Sequence, residues 1–143
     1  MEYDIQYNND VLIICEEKTQ YKVDLQKRLF DFAVRVIKFL KTIRYSQENS
    51  VIKNQLAKAA TSMGANYEEA QGAYSKDDFK YKIGICFRES KESNYWLRII
   101  KAADIANCDE LDELIKESVE LKKIFGSIMK KIHHRNYKVK RKK

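Results

Sequence analysis

The sequence predicts an all-α protein, an antiparallel up-down-up-down four-helix bundle. Four stretches of about 23–29 residues each carry an apolar stripe at helical spacing, and short polar connectors separate them. The 143 residues include no proline and only four glycines, which disfavours a turn-rich β-sandwich or a collagen-like chain. A chain of this length buries roughly 68–70% of its unfolded surface, enough for a core without staples.

The first helix is expected over residues 21–44, where Leu25, Leu29, Phe32, Val36, Phe39 and Ile43 recur in steps of four and three. The polar run RYSQEN that begins at Arg44 turns the chain. Ile52, Leu56, Ala59, Met63, Tyr67 and Ala70 trace the second helix, and Gly72 is placed where a helix end can use positive φ. Its small residues, including Ala59, Ala60 and Gly64, allow a neighbour to approach closely. Gly64 and Gly84 are therefore expected at packed contacts.

Ser75 and Asp78 form a capping-box spacing, so the third helix begins near Lys76. Its stripe is Phe79, Ile83, Cys86, Ser90, Ser93, Leu97 and Ile100. Asn107 and Glu110 repeat the capping spacing ahead of Leu111, Leu114, Ser118, Leu121, Phe125, Ile128 and Ile132, the fourth helix. The organisation expected is an N-terminal extension over residues 1–20, the bundle over 21–133 and a basic tail over 134–143. The apolar run at 11–15 is open between a short strand, a turn before the first helix and a segment that docks on a partner subunit.

Charge is unevenly placed. The chain has 28 Lys and Arg against 21 Asp and Glu, net +7. Eight of the 28 fall in residues 130–143 with no acid, so the preceding 129 residues hold 20 basic and 21 acidic side chains. Residues 22–44 carry seven basic and two acidic residues, a second basic stretch. Any electrostatic argument for nucleic acid is therefore local.

Cys15, Cys86 and Cys108 are odd in number and widely spaced, so no disulfide framework or zinc site is expected. The acidic start lacks a signal-peptide pattern, and no apolar run is long enough to span a membrane. A reduced, cytoplasmic protein is the expectation. His133 and His134 lack the preceding glutamate of a di-iron Glu-x-x-His, and no phosphate-cradling glycine loop occurs. Neither an enzyme nor a cofactor is expected.

The residues ATSMGANYEEAQGAYSKDDF at 60–79 and FRESKESNYWL at 87–97 resemble a bacterial family, the four-helix-bundle proteins encoded in intervening sequences of some 23S ribosomal RNA genes. The resemblance extends over about residues 23–132. It implies a homopentameric ring, with RNA binding inferred for the family from genomic location. A related branch, the accessory variability determinant of diversity-generating retroelements, implies a basic pentamer that partners a reverse transcriptase and nucleic acid.

The function expected is binding of structured RNA or another nucleic acid by a non-enzymatic homo-oligomer. The contacts expected are Lys27, Arg35, Lys38 and Lys41 on the first helix, then Lys130, Lys131, Arg135, Lys138, Lys140, Arg141, Lys142 and Lys143. The eight cations of residues 130–143 could follow a phosphate backbone, with Tyr137 and the two histidines interleaved. Gly64, Asn66, Glu69, Ser75, Phe79, Glu89, Glu92 and Trp96 are assigned to helix contacts or a subunit interface. Asn66, Glu69 and Gln71 are expected to bridge the turn before Ser75, while Glu89 or Glu92 could pair with Arg28 or Lys82. The competing reading is a protein-binding scaffold, such as an accessory factor of a reverse transcriptase.

Overall fold

A computed structural model describes the backbone of residues 19–140 and the side chains of residues 25–134. Four helices form an up-down bundle: α1 (Thr19–Thr42), α2 (Gln47–Gln71), α3 (Lys76–Ala102) and α4 (Asp109–Lys140). Residues 19 and 20 already belong to α1, and the apolar run at 11–15 lies outside the described residues.

Local chemistry sets the helix ends. Ser46 caps α2 by accepting from the Asn49 amide at 3.0 Å, and Ser75 does the same for α3 through the Asp78 amide. Asp78 reaches back to the Tyr74 amide, one residue before the position that the capping-box spacing predicts. Gly72 does not use positive φ, since it sits at φ −105°. The left-handed residue is Asp104 at φ 53°, after α3. There the Ile105 amide donates to the Ile100 carbonyl and the Asp104 amide to that of Lys101, a Schellman closure built without glycine.

The start of α4 differs from expectation. The helix begins at Asp109, and Glu110 binds Arg35 of α1 instead of serving a cap at Asn107. Three acids in the first turn of α4 favour that helix end through the macrodipole.

The predicted stripes meet inside. Leu29, Phe32, Leu56, Met63, Ile83, Leu97, Leu111, Leu121 and Phe125 are fully buried, each contributing about 2 kcal/mol of transfer free energy. Tyr67 and Phe125 pack edge to face with centroids 6.0 Å apart. A Cβ on Gly64 would lie 3.7 Å from Leu29 Cβ, so this small position does bring α1 and α2 together. Gly84 does not: nothing lies within 4 Å of the place its Cβ would occupy.

A thin polar seam runs between α3 and α4. Asn94 Nδ2 donates to Ser118 Oγ at 2.9 Å, Ser118 donates to the Ile115 carbonyl, and Arg98 Nε donates to Asn94 Oδ1. These small side chains let the two helices close over a buried but hydrogen-bonded layer. The α2–α3 and α3–α4 seams are the most extensive, whereas α1 meets α4 along a much shorter one.

Candidate nucleic-acid interface

The basic C-terminal segment continues a helix that the bundle anchors. Ile132 is buried, while Lys130, Lys131, His133 and His134 around it are exposed. The helical backbone extends to Lys140, past the point near Ile132 where the apolar stripe ends. Cations near a helix C-terminus are favoured by the macrodipole, which offsets part of their mutual repulsion. The side chains of Arg135, Lys138 and Lys140, and all of Arg141, Lys142 and Lys143, lie outside the described residues.

The first-helix candidates divide. Arg35 makes a two-pronged pair with Glu110, Nε to Oε1 at 2.9 Å and Nη2 to Oε2 at 3.2 Å. That pairing raises the guanidinium pKa further, so its charge is fixed and already answered. Lys27 pairs with Asp31 one turn along. Lys38 and Lys41 are exposed.

Position separates the two basic regions. Arg28 binds Glu117 and Arg35 binds Glu110, so seven residues forward on α1 correspond to seven residues back on α4. By that register and a 1.5 Å rise, Lys41 and Lys130 are about 39 Å apart along the bundle axis. A single short ligand therefore cannot bridge them.

The residues assigned to helix contacts also sort by geometry. Glu69 pairs with Lys82, joining α2 to α3, while Phe79 is buried in the core. Asn66 donates to the Ser62 carbonyl and hydroxyl, and Gln71 to the Tyr67 carbonyl, so both bond back along their own helix. Glu92 accepts from Trp96 Nε1 at 3.2 Å, and Trp96 stacks edge to face on Tyr95. Glu89 is held above the ordinary carboxyl range by partial burial and then by Glu92, against a hydrogen bond from Ser62. The pairings formed by Arg28 with Glu117 and by Lys82 with Glu69 replace the partners suggested for Glu89 and Glu92.

Burial pushes the Cys86 thiol up to about 12, and its sulfur donates to the Met63 carbonyl. Among the described residues no group of three or more His, Cys, Asp or Glu side chains is placed to hold a metal ion. No described helix is long and apolar enough to cross a membrane.

Sequence reasoning missed a third basic region. Lys80, Lys91 and Arg98 on α3 and Lys122 on α4 have no carboxylate within 4.0 Å among the described residues, and they flank one seam. The signal was present as helical spacing on α3, but acids elsewhere on that helix hid it in the net charge.

Residues 21–127 match the model of the 23S rRNA-intervening sequence protein family. Among solved structures, a protein of unknown function from the S23 ribosomal protein family of Bacteroides thetaiotaomicron is 30% identical with a TM-score of 0.67, over 73% of this chain and 97% of that one. No curated protein matches the chain. The matched span holds all four packed helices and stops just short of the basic end of α4, and on this evidence the chain belongs to the 23S rRNA-intervening sequence protein family.

Proposed function

We propose that this protein is a non-enzymatic, cytoplasmic, homo-oligomeric nucleic-acid-binding protein whose ligand is structured RNA. The observation that carries the reading is the acid-free run of eight cations at residues 130–143, whose first two, Lys130 and Lys131, are exposed on α4 beside the buried Ile132. A preformed helix presents its charges with less ordering cost than a free tail. Phosphate contacts of this kind position a ligand without reading its sequence, so weak sequence preference is expected.

Arg35 drops out of the contact because Glu110 holds it. Lys38 and Lys41 form a remote patch, reached by a long ligand or from a neighbouring copy. In a pentameric ring the basic end of α4 would recur five times, and avidity would raise affinity by roughly 10² or more where geometry permits.

Fluorescence anisotropy of a labelled structured RNA, with the full chain and a chain ending at Met129, tests the reading. Binding that falls with salt at a log-log slope of about −0.7 to −0.9 per phosphate, and is lost on truncation, is expected. Absence of binding by the full chain at low salt would transfer support to the protein-scaffold reading. Light scattering of the same sample separates a pentamer from a monomer.

A further inference from the structure

The seam between α3 and α4 has an outer groove whose walls carry like charge. Lys80, Gly84, Phe87, Lys91, Tyr95 and Arg98 follow one another on α3 in steps of four, three, four, four and three, so they share one face. Two contacts identify that face as the flank toward α4. A Cβ on Gly126 of α4 would lie 3.4 Å from the Phe87 ring, and Arg98 lines a shallow hollow of about 510 Å³ with Lys101 of its own helix and Asp112, Ile115 and Lys116 of α4, Asp112 being held by Lys101.

The opposing wall follows from the register. Asn94 bonds to Ser118 and Lys101 to Asp112, so residue numbers level with each other on the two helices add to about 212 or 213. Lys91 is then level with Lys122, and Lys80 with His133. Lys91 lies over the Phe87 ring with its ammonium 4.0 Å from the centroid, and no acid partners it among the described residues. Lys122 and Lys80 likewise have no described acid partner, and both are partly buried.

Like charges set level across a seam repel, and neither Lys91 nor Lys122 has a carboxylate within 4.0 Å among the described residues to offset this. The floor is also unusually bare. Gly84, mid-helix and facing open space, costs about 1 kcal/mol of helix stability relative to alanine without gaining a contact inside the chain. A helix glycine with no partner, between unpaired cations, leaves room for a strand to lie close to the backbone. Tyr95, nearly half exposed and braced by Trp96, adds an aromatic face between Lys91 and Arg98.

We propose that this groove is the track for an unpaired RNA strand: its phosphates lie along Lys80, Lys91, Arg98 and Lys122, and a base stacks on Tyr95. The track opens at Lys130 and His133 onto the basic end of α4, so within a structured RNA it names the unpaired segment as the part that runs along α3. The inference rests on the nucleic-acid reading above.

The test is anisotropy of a labelled, unstructured single-stranded RNA with the full-length protein, its fold checked by circular dichroism. Lys91→Gln with Lys122→Gln should weaken binding at least about tenfold at low salt and flatten the log-log salt slope by about 1.4. Lys58→Gln with Arg44→Gln removes the same charge from parts of the bundle away from the α3–α4 seam, Lys58 lying near Glu89 on the α2–α3 side, and should leave that slope unchanged. Tyr95→Ala should weaken binding about fivefold or more, with Tyr95→Phe close to wild type.

Equal effects of the two double variants, with wild type still binding, would overturn the groove and leave the tail-based reading standing. Failure of wild type to bind any RNA at low salt would remove both. Duplex RNA competing as well as the single strand, or polyglutamate competing as well as RNA, would overturn the assignment of an unpaired RNA strand.

Discussion

The two flanks of α4 handle charge in opposite ways. Toward α1, Glu110 and Glu117 each receive a two-pronged arginine, Arg35 and Arg28, one heptad apart. Toward α3, Lys122 and Lys130 meet a wall that carries Lys80, Lys91 and Arg98. The first flank is a short seam closed by complementary ions; the second is an extensive seam closed by small buried residues and, at one end, by the Lys101–Asp112 pair, with cations left along the rest of its rim. Charge that is answered inside the chain belongs to the fold. Charge left unanswered, at a cost in repulsion, is available to a ligand.

The largest effect is expected at the buried layer that closes the α3 flank. Ser118→Leu would crowd that layer and strip Asn94 of its acceptor, destabilising the protein by about 3 kcal/mol in urea unfolding. On the other flank, Arg28→Gln with Arg35→Gln should cost about 2 kcal/mol, less in high salt, because the pairs are only partly buried. Were the double arginine variant to cost more than Ser118→Leu, the ranking of the two seams would be reversed.

The glycines sharpen the contrast on a smaller scale. Gly84→Ala adds a methyl into open space and should stabilise by about 1 kcal/mol in thermal unfolding. Gly126→Ala meets the Phe87 ring at 3.4 Å, so the same propensity gain is largely cancelled. Equal stabilisation at both sites would mean that Phe87 yields freely.

Glu89 supplies the smallest effect. Its carboxyl is raised from 4.5, so the folded state holds the proton more tightly than the unfolded chain. Stability therefore falls as pH rises from about 4.5 through the folded value, and the cost of the charge persists above it. Glu89→Gln should stabilise the protein at pH 7 and do so less at pH 4. Denaturation midpoints at the two pH values check this.

Much of the fold was legible because each stripe repeats at the period of the element it builds. Leu29, Leu56, Leu97 and Leu121 all fall where spacing placed them. Ser75 announced its helix, since a cap is a local interaction. The start of α4 was misjudged because Glu110 serves a partner 75 residues away, a tertiary bond that no local spacing encodes. Gly84 was misread for a related reason: sequence shows that a residue is small, not whether anything lies opposite it.

The basic end of α4 was legible because its charge is uninterrupted by acid. The groove was not, because Lys80, Lys91 and Arg98 share α3 with Asp77, Asp78, Glu89 and Glu92, and only the sorting of those charges onto different faces reveals it. Arg35 illustrates the converse. It stood among the basic residues of α1 as a phosphate contact until the structure placed Glu110 against it.

The most direct measurement compares the Lys91→Gln, Lys122→Gln protein with the Arg28→Gln, Arg35→Gln protein in two readouts, urea stability and RNA affinity at low salt. The account predicts a crossed result: the lysine variant keeps wild-type stability within about 0.5 kcal/mol and loses RNA affinity, whereas the arginine variant loses stability and keeps affinity while folded. Affinity that falls equally in both proteins, or in neither, would contradict the division of α4 into a structural flank and a binding flank.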